Sequence, residues 1–153
     1  LDALAAYISG LGKDTVKRSP NRTYTGELSA AAIRGQAVFA STDLGGASCA
    51  SCHSGPAFRD GQSHDMGTIT AASGSRLNGA LTAIRTPGLI ELWDSAPYFH
   101  DGSAATLEDV LTSGNHTRNY TGTQRQDLIE YLRSIDRELY IDDDASFDVV
   151  VSP

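Results

Sequence analysis

Cys49-Ala50-Ser51-Cys52-His53 decides how this chain is to be read. The stretch holds both cysteines of the sequence, two residues apart, with a histidine directly after the second. That is the spacing at which haem c is attached. Each thiol can add across one vinyl group of the porphyrin, and the short turn between them carries the His53 imidazole beneath the iron. A redox disulfide at Cys-x-x-Cys wants a βαβ surrounding, and a structural zinc site wants ligands in two clusters. The chain has no second cysteine pair, and its other histidines, His64, His100 and His116, are scattered. The motif therefore points to one covalent haem c with His53 as an iron ligand.

Composition frames this reading. At 153 residues the chain suits one ordinary domain. Its 40% hydrophobic and 20% charged content is that of a globular fold. A net charge of −7 leaves no basic stripe for phosphates, which argues against nucleic acid, while it permits steering toward a basic protein partner. No apolar run reaches membrane-spanning length. Haem c is attached outside the cytoplasm, so the expected location is periplasmic or extracellular. The chain then reads as a mature protein or as a piece of a longer exported one.

Around the motif the organisation divides in three. Residues 1–26 read as an N-terminal helix and linker, 27–138 as the haem domain, and 139–153 as a tail whose Asp142-Asp143-Asp144 run is expected to be a solvated loop. In the first stretch Leu4, Tyr7, Ile8 and Leu11 follow a helical period. The same pattern returns as Leu128, Tyr131, Leu132 and Ile135 in the closing helix. A helix from Leu28-Ser29, with Ser29 as N-cap, carries Ala32, Ile33, Val38 and Phe39. Another starts near Thr106, capped by Thr106 or Ser103, and Thr123 is the expected cap of the last. From Gly55 to Gly88 the chain is rich in Gly, Ser and Thr without a sustained period, so irregular structure is expected there. The fold class is all-α: a cytochrome c-like helical domain wrapped around one covalent haem c, with long irregular loops.

Longer motifs support that class. The run from Cys49 through Phe58, Gly61 and His64 to Met66-Gly67 resembles the second haem segment of bacterial di-haem cytochrome c peroxidases, the family that includes the MauG-like proteins. Arg85-Thr86-Pro87-Gly88-Leu89 and Pro97-Tyr98-Phe99-His100-Asp101-Gly102, followed by Thr106-Leu107-Glu108, are similar to the same family. The resemblance covers roughly residues 27 to 136 and implies two cytochrome domains in tandem. This chain would be the C-terminal, electron-transfer half, and Leu1 to Gly12 would resemble the closing helix of an upstream neighbour.

The sixth ligand is the open question. In the family the distal methionine follows the Thr-Leu-Glu helix, and this chain has none there; His116 stands slightly farther along. His116 is the first choice, giving a bis-histidine haem, and Met66 the second, giving a His/Met haem of higher potential. His64 and His100 read as loop histidines. The second nitrogen of His53 should donate to a backbone carbonyl, expected at Pro56. Arg85 is the candidate partner of a haem carboxylate. Phe58, Leu89, Tyr98, Phe99, Leu107 and Leu111 are candidate pocket wall, and Trp93 is expected to pack in the core.

Two functions follow. A six-coordinate haem makes the domain a single-electron carrier, serving a redox partner protein or an adjacent domain. A displaceable sixth ligand would instead make it a peroxidase of the di-haem type, with Glu108 or His100 as conceivable distal groups. The carrier reading is preferred, since the peroxidatic site in the family belongs to the other domain.

Overall fold

Glycine at position 35 sets the centre of the fold. Helix α2 (Ala30–Ala40) crosses helix α4 (Gly122–Ser134) so closely that a Cβ at Gly35 would stand 1.9 Å from the Asp127 carbonyl oxygen. No other residue permits that approach. Arg34, next in sequence, forks onto Asp127 through Nε (2.8 Å to Oδ2) and Nη2 (2.6 Å to Oδ1), which fixes the crossing. The structure is a computed structural model and describes residues 2–10, 18–76 and 79–136. The tail from 139 and residues 11–17 lie outside them, as does the end of the haem-domain stretch beyond 136.

Each helix starts where local chemistry favours it. The Ser29 hydroxyl accepts from the Ala32 amide and opens α2 as the sequence suggests. Thr106, not Ser103, caps the short helix α3 (Leu107–Leu111) in a reciprocal box with Asp109. For α4 the expected cap at Thr123 is corrected: Thr121 caps it, boxed with Gln124. Both threonines have a glutamine three residues on, so the local pattern cannot separate them. Leu128, Tyr131 and Leu132 of α4 and its C-cap Ile135 are all buried. Burying each such side chain stabilises the fold by about 1.5–3 kcal/mol.

Phe39 of α2 joins this core to the loop after the cysteine motif. Its ring meets Tyr131 edge-on at 5.4 Å and Phe58 at 6.1 Å. Helix α1 (Asp2–Gly10) shows the opposite burial for the same pattern: Leu4 is 57% and Tyr7 66% exposed, where Leu128 and Tyr131 are 0% and 3%. The stretch read as linker is tied to the end of α4. The Ser19 amide donates to Asp136, the Ser19 hydroxyl to the Arg133 carbonyl, and Arg22 pairs with Asp136 at 2.9 Å in the interior.

The all-α expectation needs one correction. Strand β1 (Ser63–His64) pairs antiparallel with β4 (Ile84–Arg85), and β2 (Ser75–Arg76) with β3 (Gly79–Ala80). The Gly/Ser/Thr-rich stretch has no helical period to hold it, and its side chains bond nearby backbone instead: the Thr70 hydroxyl accepts from the Ala72 amide and the Ser73 hydroxyl from the Thr70 amide. Short ladders form there because the loop's two limbs run alongside each other. Among the described residues the architecture is four α-helices with small two-stranded sheets. Among the described residues, no helix is long and apolar enough to cross a membrane.

Candidate haem site

Cys49 opens a single 3-10 turn, Cys49–Ser51, and Cys52 is the residue that caps its end. The Cys52 and His53 amides both donate back to the Cys49 carbonyl, at 3.3 and 2.9 Å. Residues three apart eclipse one another on such a turn, so one porphyrin edge can meet both sulfurs. Neither cysteine is disulfide-bonded, and both are half-buried. Burial pushes the Cys49 thiol up, with the Tyr120 hydroxyl beside it pulling the other way.

His53 is oriented from within its own loop. Its Nδ1–H donates to the Phe58 carbonyl at 3.0 Å, the kind of contact that orients a ligating imidazole. This corrects the expected acceptor, Pro56, which is exposed. The reason is a tight turn: the Phe58 amide bonds the Gly55 carbonyl, and Phe58 takes a left-handed φ of 50° that swings its own carbonyl onto the ring. Burial pushes the His53 pKa down, against the Phe58 and Pro87 carbonyls, which raise it.

His116 comes to the same place from the other end of the domain. It ends the 3-10 turn Gly114–His116 that follows α3. Its ring centre lies 6.5 Å from that of His53, the planes 32° apart. Phe99, also left-handed at φ 67°, stands against it at 5.7 Å. Burial, then the neighbouring His53 and Arg118, hold the His116 pKa down at about 4, so the ring is neutral at neutral pH with a lone pair to offer. Its Nδ1 is buried without a hydrogen-bond partner. A buried ring nitrogen left unmet is costly unless something outside the polypeptide meets the ring.

These residues fit the prosthetic group that the cysteine motif implies. A metal held about 2 Å from one nitrogen of each ring would set the ring centres roughly 6 Å apart. The observed separation agrees, and both imidazoles are held in the neutral form that ligation requires.

The other sequence candidates divide. Phe58, Leu89, Leu107 and Leu111 are buried in the core, with Tyr98 packed against it and its hydroxyl donating to the Leu92 carbonyl at 2.7 Å. Trp93 is half-buried. Arg85 is exposed in β4 opposite Ser63. Met66 lies beside the His116 turn: its carbonyl accepts from the Asn115 amide at 2.9 Å. The distal groups considered for peroxidase chemistry are engaged elsewhere, Glu108 with Arg125 at 2.7 Å and His100 with the Ser73 hydroxyl at 2.9 Å.

Sequence reasoning missed two groups. Arg118, two residues past His116, reaches the Ala47 carbonyl just before the cysteine motif. Asp60 and His64 pair at 2.7 Å and lie with the Cys52 sulfur within 4.8 Å of one another. That trio could ligate a metal only while Cys52 is a free thiol, and a thioether to haem removes the thiolate it would need. The Asp60–His64 spacing of four was legible; the approach to Cys52 was not.

Comparison with known proteins finds cytochrome c-like relatives. A family model for RoxA-like, cytochrome c-like domains matches residues 85–121, the part that carries Phe99 and His116. The gamma subunit of hydrazine synthase from Kuenenia stuttgartiensis is 30% identical over 88% of this chain and 48% of its own length. The methylamine utilization protein MauG from Methylophilus methylotrophus is 30% identical over 71% of this chain and 38% of its own. A xenon-pressurised hydrazine synthase structure from K. stuttgartiensis superposes with a TM-score of 0.63 at 28% identity, over 78% of this chain and 51% of that one. A MauG-like protein associated with microbial copper homeostasis shares the fold, with a TM-score of 0.54 at 20% identity over 86% of this chain and 47% of its own. The chain spans about half or less of the length of these relatives.

Proposed function

We propose that this chain, a cytochrome c-like domain related to MauG and the di-haem cytochrome c peroxidase family, is an exported single-electron carrier with one six-coordinate haem c. Cys49 and Cys52 would attach the group, and His53 and His116 would hold its iron. The observation that carries this is the pair of facing imidazoles, 6.5 Å apart between centres, drawn from opposite ends of the domain. When bound, the haem supplies reversible one-electron chemistry at iron, and two histidine ligands favour a lower potential than His/Met.

The polypeptide's part is to hold and to exclude. The Phe58 carbonyl fixes the His53 ring and raises its basicity as a ligand. Phe99 backs His116, and Leu89, Leu107 and Leu111 are buried in the apolar core. Two histidines holding the iron would suit electron transfer, because no substrate then needs to reach the metal.

A module within a larger protein fits two observations. The chain accounts for about half of its relatives. Helix α1 has the apolar pattern of α4 but presents Leu4 and Tyr7 to solvent. The electron partner is then an adjacent domain or a second protein, outside the cytoplasm.

One observation favours a second reading, a peroxidase with a displaceable ligand. His116 rides on a single turn after a five-residue helix, and its Nδ1 has no partner to hold the ring. Hydrazine synthase, one relative, is an enzyme by name.

Low-temperature EPR with near-infrared magnetic circular dichroism on the ferric protein decides between them. A bis-histidine low-spin signature that is lost in His116→Ala and kept in Met66→Ala is expected. A methionine charge-transfer band lost in Met66→Ala would overturn the ligand assignment. A resting high-spin haem that takes up cyanide rapidly would overturn the carrier reading in favour of the peroxidase.

A further inference from the structure

Arg118 joins two parts of the chain that meet only through the tertiary fold. Its Nε and Nη2 both donate to the Ala47 carbonyl, each at 3.3 Å. Its Nη1 donates to the carbonyls of Asn115 and Thr117, the residues on either side of His116. Ala47 lies two residues before Cys49. One planar guanidinium therefore spans from the approach to the haem attachment turn to both flanks of the distal histidine. Arginine suits this, because its donors point in fixed directions from a rigid fork.

The facing loop is shaped to receive it. Gly46, at φ +137°, lies where a Cβ would meet Arg118 Nε at 3.0 Å and Cζ at 3.2 Å. Gly45, at φ +80°, does the same for Asn119, where a Cβ would meet Nδ2 at 2.8 Å. The Asn119 amide then donates to the Leu44 carbonyl at 2.9 Å. Two left-handed glycines in a row leave room for two side chains from the His116 segment. The joint thus has its own donors, acceptors and shape.

The need for such a joint is visible at His116 itself. Nothing bonds its Nδ1, so the ring has no hydrogen bond of the kind Phe58 gives His53. What holds the turn in place is backbone capture from outside. We infer that Arg118 is a positioning residue: it latches the His116 turn to the 44–47 loop and so governs how readily the sixth coordination position opens to an external ligand. This rests on the proposed bis-histidine haem.

The test uses the full haem-loaded chain with Arg118→Met and Arg118→Lys. Cyanide uptake by the ferric protein reads opening at the iron, and amide hydrogen exchange over 43–48 and 113–120 reads the latch. Arg118→Met is expected to keep a low-spin resting spectrum, to bind cyanide about ten-fold faster or more, and to lose protection in both segments together. Arg118→Lys keeps the charge without the fork and is expected to fall between the two. A low-spin wild type whose cyanide rate is unchanged in Arg118→Met overturns the latch and leaves the bis-histidine reading standing. A wild type that is high-spin at rest overturns that reading and the gating with it. Should Arg118→Met fail to load haem, Arg118→Lys decides alone: wild-type cyanide uptake and exchange overturn the proposal, and a rise in both supports it.

Discussion

The two histidines face each other but are held by different kinds of structure. His53 is placed by neighbours: its amide bonds the Cys49 carbonyl, and its ring bonds a carbonyl five residues on. His116 is placed by distant chain. Asn115 beside it bonds the Asp65 and Met66 carbonyls, some 50 residues back, and Arg118 bonds Ala47, 71 residues back. A side chain fixed locally forms with its turn and resists perturbation elsewhere. A side chain fixed by long-range capture depends on the whole fold and is the one that can be released.

Glycine substitutions on the two sides sharpen this contrast most. Gly114 opens the His116 turn at φ +53°, and a Cβ there would fall 2.2 Å from the Met66 carbonyl oxygen. Gly114→Ala is expected to cost about 3 kcal/mol or more, since left-handed strain adds to overlap with rigid backbone. Thermal unfolding should show the loss, and EPR should show a high-spin fraction as His116 is displaced. Gly55, on the His53 side, is left-handed too at φ +68°, yet nothing lies within 4 Å of its Cβ position. Gly55→Ala is expected to cost only about 1–2 kcal/mol, from backbone strain alone, with the resting spectrum unchanged. Equal spectral effects from the two would break the comparison.

The smallest effect concerns acid. Thr86, the Gln62 amide and His64 hold the Asp60 carboxyl down to about 2, below its ordinary 3.8. A depressed carboxylate contributes stability that is present above the ordinary value and is lost as pH falls from near 4 toward 2. Denaturant midpoints measured across that window should fall, and Asp60→Asn should flatten the fall. Asp127, depressed by its Arg34 fork, steepens the same limb from the α2–α4 side, so Arg34→Met should flatten it independently.

Legibility followed the same divide. The Cys49-to-His53 motif is legible because its residues are contiguous, and the caps Ser29 and Thr106 because a cap acts within three residues. The core positions Leu128, Tyr131, Leu132 and Ile135 were legible from helical period. The acceptor for His53 was misplaced by two residues, because a left-handed phenylalanine at 58 leaves no mark in sequence. His116 could be nominated by its distance past the α3 motif, but not placed.

By itself, then, the sequence determined the motif that points to haem attachment, the apolar faces of α2 and α4 and most of the caps. These depend on residues close together along the chain, where spacing alone sets geometry. The tertiary structure decided the rest: the choice of Thr121 over Thr123, the small ladders, the meeting of His116 with His53, and the Arg118 joint. Each of these depends on which distant carbonyl or side chain arrives once α2 and α4 have packed through Gly35, and no local pattern encodes that arrival.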